Sequence, residues 1–297
     1  MQVRTLLGAK GLDFTSACLQ SLVSQSKTPI ELVIHEDGSL NERHRDLLRA
    51  RISPGLRFIG REEANDLVEP AIRAYPALRT FRATDVFAGK ILDISIAESG
   101  PRVRYCDSDI FFFRPFEGLY GAAGPNQCMF MRDRFYAYAF SRNAQARHLF
   151  PLPRMLNAGL IDAPKDKIDL DCLEHLLASR LLAPGWTEQT MWAVLAKRMD
   201  AIWPEALTIP KRGDPLGHEV AWHLTSKVRG FWAMDNLMAC AKALADSPTA
   251  QIEMRTFETM PYWRYVLHHM QHAVEWRRDI IRGALKDRLA AARASSA

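Results

Sequence analysis

No stretch of this 297-residue chain approaches the roughly 18 consecutive apolar residues that a membrane-spanning helix requires. Cysteine is sparse. Cys18, Cys106, Cys128, Cys172 and Cys240 are scattered, odd in number and without a CxxC pair, which argues against a zinc site and a closed disulfide set. A reducing compartment is the simplest expectation. The segment from Met1 to Gly8 lacks the basic start and long apolar run of a signal peptide, so a cytoplasmic location is expected. There is no glycine-rich phosphate loop near the start, which counts against a nucleotidyltransferase built on one. Internal repeats and low-complexity linkers are absent. Neither charge sign dominates: net charge is +5 with pI ≈ 9.0. That mild basicity suits an anionic substrate or an anionic membrane surface, and no nucleic-acid partner is expected. What remains is 48% hydrophobic and 25% charged residues, ordinary for a soluble protein with a large core.

The first third alternates short apolar runs with amphipathic segments. Val3 to Leu7, Ile30 to Ile34 and Leu56 to Ile59 read as strands, and Leu12 to Ser24 and Asn41 to Arg51 as helices between them. Such repetition implies a parallel sheet covered by helices, with ligands beyond the carboxyl ends of its strands. Glu62 to Tyr75 and Arg79 to Ala97 are expected as helices, the second feeding a strand that carries Asp107 and Asp109. Met129 to Met131 reads as a strand, and Leu156 to Ile161 as a short one interrupted by small polar residues. Thr187 to Met199 is expected as a helix with Thr187 as N-cap. Val220 to Leu224 reads as a late strand, and from about Phe231 the pattern is helical to the end. The expected division is a domain over 1–232 and a helical appendage over 233–297.

The apolar run Val103 to Cys106 delivers Asp107 and Asp109, one residue apart, and Ile110-Phe111-Phe112-Phe113 follows at once. At a strand's end this spacing lets two carboxylates converge on one hard cation, of the kind Mg²⁺ or Mn²⁺ supplies to phosphorylated substrates. The same triplet also suits an ordinary turn. Asn157 can bond a sugar hydroxyl with Gly159 allowing close approach, or simply cap a bulge. Glu188 and Gln189 open a helix, where the dipole alone favours an acid. A functional Glu188 would orient donor hydroxyls or act as general base. Asp37 is placed to meet a base or ribose, or is a turn residue of Asp-Gly-Ser. Lys90 is either a donor ligand or a helix-surface cation. The Phe111–Phe113 run and most of the seven tryptophans read as core, with Trp186 and Trp232 as exceptions beside motif residues.

Four segments in order carry a resemblance: Tyr105-Cys106-Asp107-Ser108-Asp109, Leu156-Asn157-Ala158-Gly159-Leu160, Trp186-Thr187-Glu188-Gln189 and Trp222-His223-Leu224-Thr225-Ser226-Lys227-Val228-Arg229-Gly230-Phe231-Trp232. Across residues 1–232 these are similar to GT-A nucleotide-sugar glycosyltransferases, nearest to the glycogenin and bacterial lipopolysaccharide galactosyltransferase group (family 8). Two departures stand out: Glu188 replaces the group's more usual Asp, and Val228-Arg229-Gly230 stands where Lys-Pro often precedes Trp. The resemblance implies a Rossmann-like mixed α/β sheet flanked by helices. It implies transfer of a hexose from a UDP- or GDP-sugar, UDP favoured, to a glycan or lipid-linked acceptor, with Mn²⁺ or Mg²⁺ as cofactor. By the same resemblance Asp107, Asp109 and His223 hold the cation, and Lys227 and Arg229 lie against the diphosphate. Asp37, Lys90, Ser108, Asn157 and Gly159 complete the donor site, and Glu188 and Gln189 are the catalytic pair.

Over 255–297, eight Lys/Arg residues face four acids, with Trp263, Tyr265, Val266, Trp276, Ile280 and Ile281 nearby. Such a basic helical tail can touch the inner face of a membrane, or pack on its own domain with a solvated basic face. A haloacid-dehalogenase-like phosphatase also uses Asp-x-Asp and Mg²⁺, but its pair normally lies near the chain start. A catalytically silent sugar-nucleotide binder is the third reading.

Overall fold

The computed structural model describes residues 1–141 and 144–270, apart from the side chains of Ala144, Ser226 and Lys227. Its centre is an eight-stranded sheet. In spatial order the strands are Met254–Thr256, Asp200–Pro204, Gln127–Arg132, Leu156–Pro164, Arg102–Cys106, Gln2–Leu7, Glu31–Glu36 and Arg57–Ile59. The half from Arg102–Cys106 to Arg57–Ile59 is parallel. Leu156–Pro164 runs antiparallel to both its neighbours, and Met254–Thr256 antiparallel to Asp200–Pro204. The sheet is therefore mixed.

Alternation along the strands explains why both faces are covered. Tyr105, Phe130 and Ile161 enter one core, while Cys106, Met129, Met131 and Leu160 enter the other. Successive strand residues point to opposite faces, so a strand apolar at every position needs helices on both sides. The first core is roofed by Thr187–Ala196, whose Trp192 packs on Phe130 with ring centroids 5.7 Å apart. Leu12–Gln25 covers the other face with Leu12, Leu19 and Leu22, spaced for one side of a helix.

A second, three-stranded sheet stands beside the carboxyl ends of the parallel strands: Leu207–Thr208, Ala221–His223 and Ile110–Phe112. Its register sets His223 opposite Ile110. Phe111 and Trp222 from this sheet, with Phe113 directly after its strand, pack with Cys18 of Leu12–Gln25 and with Leu237 and Ala241 of Met234–Ala243. All three phenylalanines of the 111–113 run are fully buried, as expected of core.

Several local expectations are corrected. Arg79 to Ala97 is not one helix but Pro76–Thr84, Ala88–Ile91 and Asp93–Ala97. The first break falls where Asp85 Oδ1 accepts the Phe87 N–H at 2.9 Å, an alternative partner that competes with helix continuation. Leu156 onward is no short interrupted strand; Leu156–Pro164 is nine residues long and buried throughout. Trp186, not Thr187, caps the helix Thr187–Ala196. Beyond Phe231 the chain is helical over Met234–Ala243 and 262–270, but Met254–Thr256 between them forms the edge of the main sheet. Tyr265 packs on Phe140 and Phe150. The basic part of the tail, 277–293, lies outside the described residues.

Candidate functional site

Asp107, Ser108 and Asp109 form the tight link between the strands Arg102–Cys106 and Ile110–Phe112. The turn and ligand readings of this triplet are thus compatible. The Asp107 N–H donates to the Gly159 carbonyl at 2.7 Å, and the Leu224 N–H donates to the Asp109 carbonyl at 2.8 Å. Backbone bonds on both sides leave the two carboxylates free to converge. His223 Nε2 lies 3.1 Å from Asp109 Oδ1 and 3.5 Å from Asp107 Oδ2. One ligand atom from each of the three residues falls within 4.8 Å of the others.

Charges surround this cluster. Lys90 Nζ sits 3.1 Å from Asp107 Oδ1 and 3.8 Å from Glu188 Oε2. Lys90 is buried, so the alternative of a helix-surface cation fails. Tyr105 Oη donates to Asp107 Oδ1 at 2.5 Å, and Arg229 Nη2 donates to Asp109 Oδ2 at 2.8 Å. Burial alone would raise Asp109, but His223 and Arg229 outweigh it and hold its carboxyl below the usual range. Burial likewise opposes the charged forms of His223 and Lys90, yet the neighbouring aspartates push both upward. Glu188 is raised as well, but by burial, only partly offset by Lys90, to about 7.

These residues line a cavity of about 520 Å³ with Asp85, Phe87, Ser108, Asn157, Gly159, Gln189 and Trp186. Gly159 is there for lack of a side chain: a Cβ at that position would lie 2.6 Å from His223 Cε1. Asn157 and Gln189 are pinned. Asn157 accepts the Gly159 N–H at 2.9 Å and donates to Asp133 Oδ2 at 3.0 Å. Gln189 Nε2 donates to the Ala137 carbonyl at 2.9 Å. Trp186 holds a left-handed backbone at φ 47, a conformation that costs a non-glycine residue roughly 1–2 kcal/mol. Strain of this kind clusters at functional sites.

The remaining expected residues stand apart or beyond description. Asp37 does not line the cavity; its Oδ1 accepts the Ser39 N–H at 2.8 Å, a turn bond. Trp232 packs on Trp222 with centroids 4.6 Å apart rather than facing the cavity. Lys227 lies on the short helix Ser226–Arg229, and its side chain is outside the described set. Asp85, Phe87 and Asp133 escaped the sequence reading because no motif marks them; only Asp133, directly after an apolar strand, carried the signal used for Asp107.

The donor set fits a divalent cation. Two carboxylates and an imidazole converge, and the buried Asp109 Oδ1 has no hydrogen-bond partner although His223 is close. Oxygen-rich ligation with one imidazole suits Mn²⁺ or Mg²⁺ in a site that also takes phosphate oxygens.

No protein-family model and no curated protein sequence matches this chain. Solved structures do. The galactosyltransferase LgtC, in complex with donor and acceptor sugar analogues, is 12% identical with a TM-score of 0.51, covering 84% of this chain and 98% of its own. Mouse xyloside xylosyltransferase 1 is also 12% identical with a TM-score of 0.51, over 77% of this chain and 99% of its own. An active-site mutant of LgtC superposes with a TM-score of 0.52 at 13% identity, over 84% and 98%. The chain has the GT-A fold that these glycosyltransferases share.

Proposed function

We propose that the protein is a metal-dependent glycosyltransferase that moves a hexose from a UDP- or GDP-sugar to a glycan or lipid-linked acceptor. The observation that carries this reading is the convergence of Asp107, Asp109 and His223 at the carboxyl ends of the parallel strands, inside a cavity large enough for a sugar nucleotide. The GT-A fold supports it, and gives the phosphatase alternative no support.

In the reaction the acceptor hydroxyl oxygen bonds the anomeric carbon while the bond from that carbon to the β-phosphate oxygen breaks. The nucleoside diphosphate leaves with the electron pair, and the hydroxyl loses its proton to a base. Held by Asp107, Asp109 and His223, a divalent cation would supply Lewis-acid stabilisation of the charge on the leaving diphosphate. The protein's own residues do the rest. Lys90 neutralises Asp107 and stands between it and Glu188, and Arg229 fixes Asp109. Glu188 lines the cavity beside Lys90, where its carboxyl would orient a donor hydroxyl. The Asn157 and Gln189 amides keep their positions through backbone and Asp133 contacts and form part of the cavity wall.

Thermal unfolding with UDP, GDP and their sugars, each with and without Mn²⁺, tests the reading. One diphosphate should raise Tm only when Mn²⁺ is present, and Asp109→Asn should remove that response, with metal affinity falling by roughly 100-fold or more. Stabilisation by phosphate esters in place of any diphosphate would return the phosphatase. Donor binding without turnover on any acceptor would mean a silent binder.

A further inference from the structure

A second cavity of about 510 Å³ opens beside the first and shares Asn157, Trp186, Gln189 and Thr225 with it. Whatever enters it therefore reaches the wall that it shares with the cavity around the aspartate pair. Its chemistry differs from that of the first. The first cavity mixes charges, with Asp85, Asp107, Asp109 and Glu188 set against Lys90, His223 and Arg229, whereas Arg134, Lys211 and Arg212 stand along the second with Asp133 as its one acid.

Arg134 is fixed: its Nη1 donates to the Ile209 carbonyl at 3.0 Å and lies 3.5 Å from Asp214 Oδ2. The Arg212 guanidinium rests over the Phe231 ring, 5.6 Å from its centroid. Among the described residues, the only ion pair made by these three cations is that of Arg134 with Asp214. Two aromatic surfaces flank them, since Trp186 is 47% and Phe231 49% exposed. The inner end is different again. There Asp133, buried and engaged by the Asn157 amide and the Arg134 N–H, offers an acceptor oxygen to a hydroxyl and repels an anion. A ligand that satisfies this gradient has a hydroxyl-bearing ring inside and a negative group outside.

We infer that the second cavity binds the acceptor, and that the acceptor is a phosphate-bearing saccharide, its ring between Trp186 and Phe231 and its phosphate among Arg134, Lys211 and Arg212. The inference rests on the glycosyltransferase reading above. Three cations match the charged oxygens of a phosphate mono- or diester better than they match a neutral sugar.

The test uses protein saturated with Mn²⁺ and UDP. It is titrated calorimetrically with glucose 1-phosphate, with glucose 1-phosphate esterified to a decyl chain, and with methyl glucoside. The phosphate-bearing ligands should bind about tenfold or more tightly than the neutral one, and raising salt from about 50 to about 500 mM should shrink that advantage. The double variants K211E/R212E and K211Q/R212Q should lose it while keeping the UDP-dependent rise in Tm, which also reports that they fold. Preference for the decyl ester would assign a lipid-borne acceptor, and equal binding of the two esters a soluble one. Equal binding, or no binding, of phosphorylated and neutral sugars overturns the inference, as does a phosphate advantage that survives both double variants. If UDP does not bind, GDP takes its place in the titration; failure of both would remove the donor reading, and the inference with it.

Discussion

Glu188 carries the most telling single environment in the site. Its carboxyl is buried with Lys90 3.8 Å away, and burial prevails, raising it from the usual range to about 7. A raised carboxyl binds its proton more tightly in the folded state. Its contribution to stability is therefore complete below about pH 4.5 and is lost as pH rises through about 7. With EDTA present, the Tm of the wild type relative to Glu188→Gln should fall across that window; parallel curves would show that Glu188 is not held this way. Lys90 makes the complementary point. In the sequence it is one lysine in an amphipathic stretch, and only its burial between two acids marks it as part of the site. Asp107 and Asp109 were legible because their spacing and flanking apolar runs are local properties of the chain. Asp133 shares the flanking run but has no second acid beside it.

At the level of elements, the site depends on strand registers. His223 reaches the aspartate pair because Ala221–His223 pairs antiparallel with Ile110–Phe112, placing His223 opposite Ile110. The central strand Leu156–Pro164 passes beneath, and its Gly159 clears the space that the His223 ring occupies. Gly159→Ala should accordingly cost about 1–3 kcal/mol by overpacking and weaken Mn²⁺ binding at least tenfold by displacing His223. Unfolding in denaturant and metal titration read the two effects separately; a loss of stability with unchanged Mn²⁺ affinity would refute the steric link. The misread elements share one cause. Periodicity sees apolar spacing, but not the Asp85 side chain taking up the Phe87 N–H, nor a buried strand that tolerates Asn157 and Gly159 because their polar groups are satisfied.

Across the whole molecule, a cavity of mixed charge around the aspartate pair and a mainly cationic second cavity meet at Trp186 and Gln189. A membrane role for the basic segment 277–293 is proposed on its sequence alone. The full chain should then sediment with vesicles containing anionic lipid but not with neutral ones, and a chain ending at residue 270 should lose the difference. Sedimentation that ignores lipid charge or truncation would leave the segment a solvated face. By itself the sequence determined the α/β class, most of the strands that build the main sheet, the aspartate pair and the ordered motifs that resemble a GT-A enzyme. Those are properties of spacing over a few residues, where side-chain direction follows from a period of 2 or 3.6. Tertiary structure alone decided which strands of the mixed sheet run antiparallel, that Met254–Thr256 completes its edge, that Lys90 is buried, and that a second, cationic cavity adjoins the first. Each of those depends on which distant segments pair and pack, and the free energy that selects the pairing comes from area buried between elements far apart in the chain.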